Sequence, residues 1–282
     1  MTVLPTEVAT QVSTQLIKDA LESLHAPISN IITVNRAKFL ENFRSYCEYM
    51  LTKNSMVRTL YSKSKPMALD DIYVTTNFSI AENLDPTEKC SDSDLINKFA
   101  NGSRLIVKGN GGSGKTIFLK HLWVSRFKNK SGKIPIYIEL RRLNDLKSLD
   151  IVTFCRSELQ SDLIFGSGVF EKLCEAGRFE FIFDGFDEVA RGKRKIVERQ
   201  ILDLSDKYLK CNFLVSGRED DRFSGWGSFE VYTVAPLSLD DLKILIEKIP
   251  FDGKVKRKFN ESLSKDFFEM HHSFLSSPSS RL

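Results

Sequence analysis

The run Gly109-Asn110-Gly111-Gly112-Ser113-Gly114-Lys115-Thr116 has residue types and spacing that suit one chemistry, the holding of phosphate. In the pattern Gly-x-x-x-x-Gly-Lys-Thr, successive backbone N–H groups wrap phosphate oxygens. An apolar stretch, Leu105 to Val107, precedes the run, and a helix-like stretch, Ile117 to Phe127, follows it. This strand–loop–helix setting turns a helix N-terminus, with its positive partial charge, toward the phosphates. Lys115 is expected to reach the β- and γ-phosphates of a nucleotide, and the Thr116 hydroxyl to ligate Mg2+. Every position from Gly109 to Thr116 is therefore a candidate nucleotide contact.

A second motif supplies acid groups. In Phe181-Ile182-Phe183-Asp184-Gly185-Phe186-Asp187-Glu188, an apolar strand ends in Asp184. That carboxylate is expected to face the phosphates from a neighbouring strand and to hold Mg2+ through water. Asp187 or Glu188 would orient and deprotonate an attacking water. As acids at a helix N-terminus they would instead stabilise its dipole, and the choice of base between them stays open. Arg218 follows the apolar run Phe213-Leu214-Val215-Ser216-Gly217. Just beyond a buried strand end, it is expected to sense the γ-phosphate through charge-assisted hydrogen bonds. The competing expectation is a salt bridge to Glu219, Asp220 or Asp221.

The elements that must position these groups alternate between two periods. Strands are expected at 105–107, 134–140, 179–183, 211–216 and 230–234. Helices are expected at 115–127, at 150–176 with an interruption at Gly166–Gly168, and at 191–209, where Val197, Ile201, Leu204 and Tyr208 share a face. Alternation of this kind implies a parallel sheet covered on both faces, with nucleotide at the C-terminal strand ends. Residues 5–65 read as helical, broken at Pro27 with Ser29-Asn30. Ile72–Thr75 is the best strand candidate before the glycine-rich run, and Ser91 or Ser93 caps a short helix ending near Gly102. After 236 the chain returns to helix, with Ser238 as N-cap, a break at Pro250 and Gly253, and a second helix from Val255 to Phe274. The organisation expected is an N-terminal helical module (1–66), a core (67–235) and a partial helical lid (236–282).

Composition excludes several classes. The chain has 282 residues and a formal net charge of +4, too little to argue for nucleic acid. Basic clusters at Arg126–Lys133, Arg191–Lys195 and Lys254–Lys258 read as solvated faces. Five cysteines are scattered without C-x-x-C spacing, and four histidines form no ligand pattern. Cys155, Cys174 and Cys211 read as small core residues. Neither a membrane-length apolar run nor a signal-peptide core is visible, so a cytoplasmic location is expected.

Taken together, these motifs resemble the NACHT family, within the STAND class of signalling ATPases, over roughly residues 70–280. The run Gly109–Thr116 is similar to its Walker A motif. Phe181–Val189 resembles its Walker B form, in which Asp-Gly is followed by further acids. Phe213–Arg218 is similar to its sensor-1 strand, and Val234–Leu239 to the lead-in to its lid. By resemblance, Tyr73 and Val74 help hold the base, Pro278 packs near the adenine, and the nucleotide is ATP rather than GTP. The fold implied is α/β, a P-loop NTPase with a three-layer parallel sheet. The N-terminal helices are similar to modules preceding bacterial NACHT domains that act against phage, where nucleotide state gates assembly. Two departures stand out. A proline that often follows the family's sensor arginine is replaced here by Glu219. The sequence also ends at Leu282, where the family continues into the rest of the lid, a winged helix and a sensor, so truncation at the C-terminus is expected.

The function expected is an ATP-binding, Mg2+-dependent switch with slow hydrolysis. Asp187, Glu188 and Arg218 would be its catalytic groups, and protein partners or self-association would follow activation. The alternative is a catalytically weak adaptor whose N-terminal helices bind a partner protein. Neither a membrane nor nucleic acid is expected as a partner, because charge is modest and no DNA-binding motif is present.

Overall fold

The computed structural model describes residues 6–29, 31, 36–57, 66–80, 89–159, 168–250 and 252–271. Two long helices open it, α1 (Thr6–Ser29) and α2 (Arg36–Ser55). The break expected at Pro27 is displaced, because α1 runs through it to Ser29. Ile28, fully buried just beyond the proline, anchors that last turn, and tertiary packing outweighs local propensity.

A two-residue ribbon follows, with β1 (Met56–Val57) antiparallel to β2 (Met67–Ala68). The strand expected at Ile72–Thr75 is instead preceded by a helical turn, α3 (Leu69–Ile72), and the strand β3 begins later (Asn77–Ile80). Leu69 and Ile72, three apart, are both buried, and Asp70 and Asp71 occupy the first turn of α3. That is a helical signature rather than a strand alternation. After β4 (Lys89–Ser91), helix α4 (Asp92–Ala100) starts on a reciprocal capping box between Ser91 and Asp94.

Strand and helix then alternate: β5 (Arg104–Lys108), α5 (Lys115–Lys128), β6 (Ile134–Glu139), α6 (Ile151–Glu158), α7 (Val169–Glu175), β7 (Phe179–Asp184), α8 (Arg191–Lys207), β8 (Asn212–Gly217) and β9 (Glu230–Val234). Seven strands form one sheet in the order β4-β3-β9-β5-β8-β7-β6. The five from β9 to β6 are parallel, and β3 and β4 join antiparallel at one side. Both β7 and β8 are buried at every residue, as central parallel strands with helices on both faces must be. Since β8 lies between β5 and β7, Asp184 sits two strands from the glycine-rich loop, not on the adjacent strand expected for it. Strand order is fixed by long-range pairing, which local periodicity does not encode.

Helix α5 packs against β6, β7 and β8 on one side and is covered by α1 and α2 on the other. Its buried residues Phe118, Leu119, Leu122, Trp123, Val124 and Phe127 are spread around the helix, the pattern of a helix inside a core. On the outer edge of the sheet, β6 carries Pro135, as an edge strand can. The Tyr46 hydroxyl of α2 donates to the Pro135 carbonyl at 2.9 Å and accepts from the Tyr137 N–H at 3.2 Å. One phenol thus satisfies edge groups that a further strand would otherwise pair.

The basic cluster starting at Arg126 is not wholly a solvated face. Arg126 is buried and grips the fully buried Glu180 with Nε at 3.0 Å and Nη2 at 2.8 Å. Asn212 Nδ2 adds a third donor at 3.2 Å. Beyond the sheet, α9 (Leu239–Lys248) starts at the expected Ser238, with Asp241 closing a capping box. The single helix expected from Val255 to Phe274 is two helices, α10 (Gly253–Ser262) and α11 (Lys265–Met270). Leu263 turns inward with Leu242, Ile246 and Phe268, and the Ser264 hydroxyl caps the new helix at the Phe267 N–H. Pro278 and the Gly166 interruption lie outside the described residues.

Removing one partner of the Arg126–Glu180 pair leaves an uncompensated buried charge. Glu180→Ala is expected to lower the free energy of unfolding by about 3–5 kcal/mol, read from urea denaturation. Replacing both residues with apolar ones is expected to recover most of that loss.

Candidate nucleotide site

The loop between β5 and α5 has a backbone that only certain residues can take. Gly112 and Gly114 have φ of 80° and 94°, in the left-handed region that glycine enters without a Cβ penalty. At Gly109 a Cβ would lie 2.7 Å from the Ser113 hydroxyl oxygen. Lys115 begins α5, and its ammonium folds back to donate to the Gly109 carbonyl at 2.7 Å and the Asn110 carbonyl at 2.9 Å. Burial lowers the pKa of Lys115, while Asp187 and Asp184 oppose that shift. The Ser113 hydroxyl is buried and has no hydrogen-bond partner among the described residues. An unpaired buried donor, a half-buried cation and a helix N-terminus in one glycine-rich loop fit an anionic group such as a triphosphate.

Asp184 ends β7 and is only 9% exposed. Three hydroxyls converge on it. Thr116 Oγ1 donates to its Oδ2 at 3.0 Å, Tyr137 Oη to the same oxygen at 2.7 Å, and Ser216 Oγ to Oδ1 at 2.6 Å. The Gly185 N–H in turn donates to Ser216 Oγ at 2.9 Å. Burial, then the nearby Asp184 charge, pushes the Tyr137 phenol well up, which keeps it a protonated donor. Tyr137 and Ser216 are not among the residues to which the sequence motifs point. The only trace they leave is a hydroxyl inside each apolar run, Ile134–Glu139 and Asn212–Gly217. Among the described residues no cluster of three His, Cys, Asp or Glu side chains forms a metal cage. One carboxylate beside a threonine hydroxyl and a phosphate cradle fits Mg2+, which keeps several waters and binds jointly with phosphates.

The structure brings Asp187 and Arg218 together. Arg218 Nε lies 3.0 Å from Asp187 Oδ2, and the Arg218 backbone N–H donates to Oδ1 at 3.1 Å. The guanidinium rests over Gly111, where an added Cβ would stand 3.2 Å from Nη2. Neither sequence expectation for Arg218 describes this contact. Among its three expected acid partners, Glu219 pairs with Lys108 at 2.5 Å, and Asp220 caps a 3-10 turn through the Arg222 N–H. Glu188 lies beside them and is an exposed residue. Burial, with the charges of Asp184 and Asp187, raises its pKa against the opposing pull of Arg141.

A cleft with mostly apolar walls opens next to the loop, lined by Ile72, Val74, Ser113, Ile117, Pro236 and Leu245 among others. Val74 lines this cleft together with Ser113 and Gly114. Tyr73 does not line the cleft. Its ring stacks on His121 with centroids 3.9 Å apart, and its hydroxyl donates to Asp92 at 2.8 Å. Lys248 of α9 donates to the Tyr73 carbonyl, tying this segment to α9.

With the loop, the acidic strand end and the cleft in place, comparison with known families is informative. A family model described as "NACHT domain" matches residues 103–250, just over half of the 282. The chain belongs to the NACHT family. These are P-loop NTPases, so nucleotide binding is the coarse function of this NACHT chain. No curated protein matches it in sequence. Similar solved structures include Cdc6p from Pyrobaculum aerophilum, at 18% identity over 56% of this chain and 47% of that one, with a TM-score of 0.38. The Aeropyrum pernix Orc1 protein in complex with DNA matches at 14% identity over 55% of this chain and 47% of that one, with a TM-score of 0.35. This chain spans about half the length of either. Among the described residues no helix is long and apolar enough to cross a membrane.

The raised pKa of Glu188 gives a stability prediction with a definite sign. A carboxyl whose folded pKa lies above its unfolded one binds protons more tightly when folded, so stability falls as pH rises through that interval. In the presence of a chelator, Glu188→Gln is expected to melt at a higher temperature than the parent at neutral pH. The gap should close as pH falls below the ordinary glutamate range, as followed by thermal scans across a pH series.

Proposed function

We propose that this NACHT chain is an ATP-binding, Mg2+-dependent switch with slow hydrolysis. The supporting observation is the Gly109–Thr116 loop, where an unpaired Ser113 hydroxyl and a Lys115 ammonium resting on backbone carbonyls await an anion. Lys115 leaves those carbonyls for the β- and γ-phosphates, and the loop N–H groups wrap the chain of phosphates. Thr116 and Asp184 would hold Mg2+, which when bound supplies charge neutralisation at the phosphates. Val74 and the cleft above Ile117 take the base, and the family resemblance assigns Pro278 to the adenine.

In this reading Arg218 turns from Asp187 to the γ-phosphate. Glu188 is the base, since it carries no ion pair among the described residues and burial with its acidic neighbours raises its pKa, whereas both Asp187 oxygens are engaged by Arg218. The likeness to bacterial modules supports a cytoplasmic anti-phage role, with protein partners or self-association on activation. Residues 1–66 would be the helical module, 67–235 the NTPase core and 236–282 a partial lid.

Lys115→Ala is expected to abolish binding of a fluorescent ATP analogue, and unchanged affinity would remove the basis of the reading. Glu188→Gln is expected to slow single-turnover phosphate release by about 10²–10⁴-fold while ATP still binds. Asp187→Asn, which frees Arg218, should retain more of the rate. A second reading, a weak scaffold whose N-terminal helices bind a partner protein, is favoured by the closed Asp187–Arg218 pair. It predicts phosphate release at background in the parent and no change in either variant.

A further inference from the structure

Among the groups around Asp184, Tyr137 is the one no nucleotide motif accounts for. It stands on β6, the edge strand, and its register partner is Ile182 of β7. Its side chain is 1% exposed, yet its hydroxyl is spent on a carboxylate at 2.7 Å. Its backbone N–H is held by Tyr46 at 3.2 Å. The residue is therefore held at its backbone by Tyr46 and at its hydroxyl by Asp184.

A carboxylate offers about four acceptor positions. Thr116 and Tyr137 take both on Oδ2, and Ser216 takes one on Oδ1. Thr116 is exposed and at the first turn of α5, free to turn its oxygen toward a cation. Tyr137 is buried and has no such freedom. With Thr116 turned away, Oδ2 keeps one bond to protein and one open lone pair, aimed by Tyr137.

We propose that Tyr137 is a positioning residue for the divalent cation, its hydroxyl fixing the Asp184 carboxylate so that it accepts from cation-bound water rather than binding the ion directly. The inference rests on the reading of Thr116 and Asp184 as the Mg2+ side of a nucleotide site. Without the phenol, the carboxylate rotates and loses the orientation that suits a hydrated ion. Outer partners of this kind are worth about 10–100-fold in metal affinity.

The test is binding of a fluorescent ATP analogue to the full chain, titrated with Mg2+ from a chelated start, in the parent and in Tyr137→Phe. The variant removes one oxygen and keeps the ring that fills the core. The expected result is a Mg2+ half-saturation raised about 10-fold, with Mg2+-free nucleotide affinity unchanged and a melting temperature lowered as loss of one buried hydrogen bond requires. Equal half-saturation in parent and variant overturns the role of Tyr137 and leaves the nucleotide site standing. A fall in Mg2+-free affinity as large as the change in half-saturation means a merely structural tyrosine and also overturns it. Absence of any Mg2+-dependent binding in the parent overturns the underlying reading and this inference together.

Discussion

A buried carboxylate must be satisfied on both oxygens, and much of this fold is arranged to satisfy Asp184. Its three hydroxyl partners come from α5, β6 and β8, while Asp184 itself ends β7. Four elements are thereby locked at one point, at the C-terminal ends of the parallel strands. The intervening strand β8 turns a sheet-order detail into a requirement. Ser216 bridges the gap between β7 and the loop strand, and receives the Gly185 N–H so that the turn after Asp184 is fixed with it. In a low-dielectric interior such linked bonds reinforce one another.

Charge is organised around that point in two layers. The inner layer is the carboxylate and its hydroxyls. The outer layer lies nearer solvent, with Arg218 largely exposed on Asp187 and Lys115 resting on carbonyl groups. An exposed ion pair of this sort contributes little to stability, so its exchange for a phosphate contact costs little. The buried Arg126–Glu180 pair is the opposite case. It is bidentate, buried and at the opposite, N-terminal ends of the strands, and belongs to the folding of the sheet rather than to its chemistry.

Local signals in the sequence carried far. The glycine-rich run, the apolar strand ending in Asp184, and the serine caps at Ser91 and Ser238 are short-range patterns whose physics sits within a few residues. The α/β alternation followed from periodicity. What could not be read was long-range. No local pattern tells that β8 separates β5 from β7, that Arg126 reaches Glu180 across 54 positions, or that Tyr137 and Ser216 meet on one carboxylate. The Ile72–Thr75 run shows the converse error. Its β-branched residues suggested a strand, but Leu69 and Ile72 set a helical spacing that burial then enforced. Tyr73 was drawn away from the cleft by a partner, His121, that lies 48 residues further along.

The phenol of Tyr46 has a practical consequence for dissecting the protein. It holds the Tyr137 N–H on the free side of β6, which would otherwise stand open, and shares the Pro135 carbonyl with the Trp123 indole. A recombinant fragment starting after the N-terminal helices would keep the glycine-rich loop and every acid around it, yet present a raw strand edge to solvent. Such edges recruit one another, and the expected behaviour is precipitation or indiscriminate strand pairing. Self-association of such a fragment would then be evidence about an uncovered edge, not about signalling.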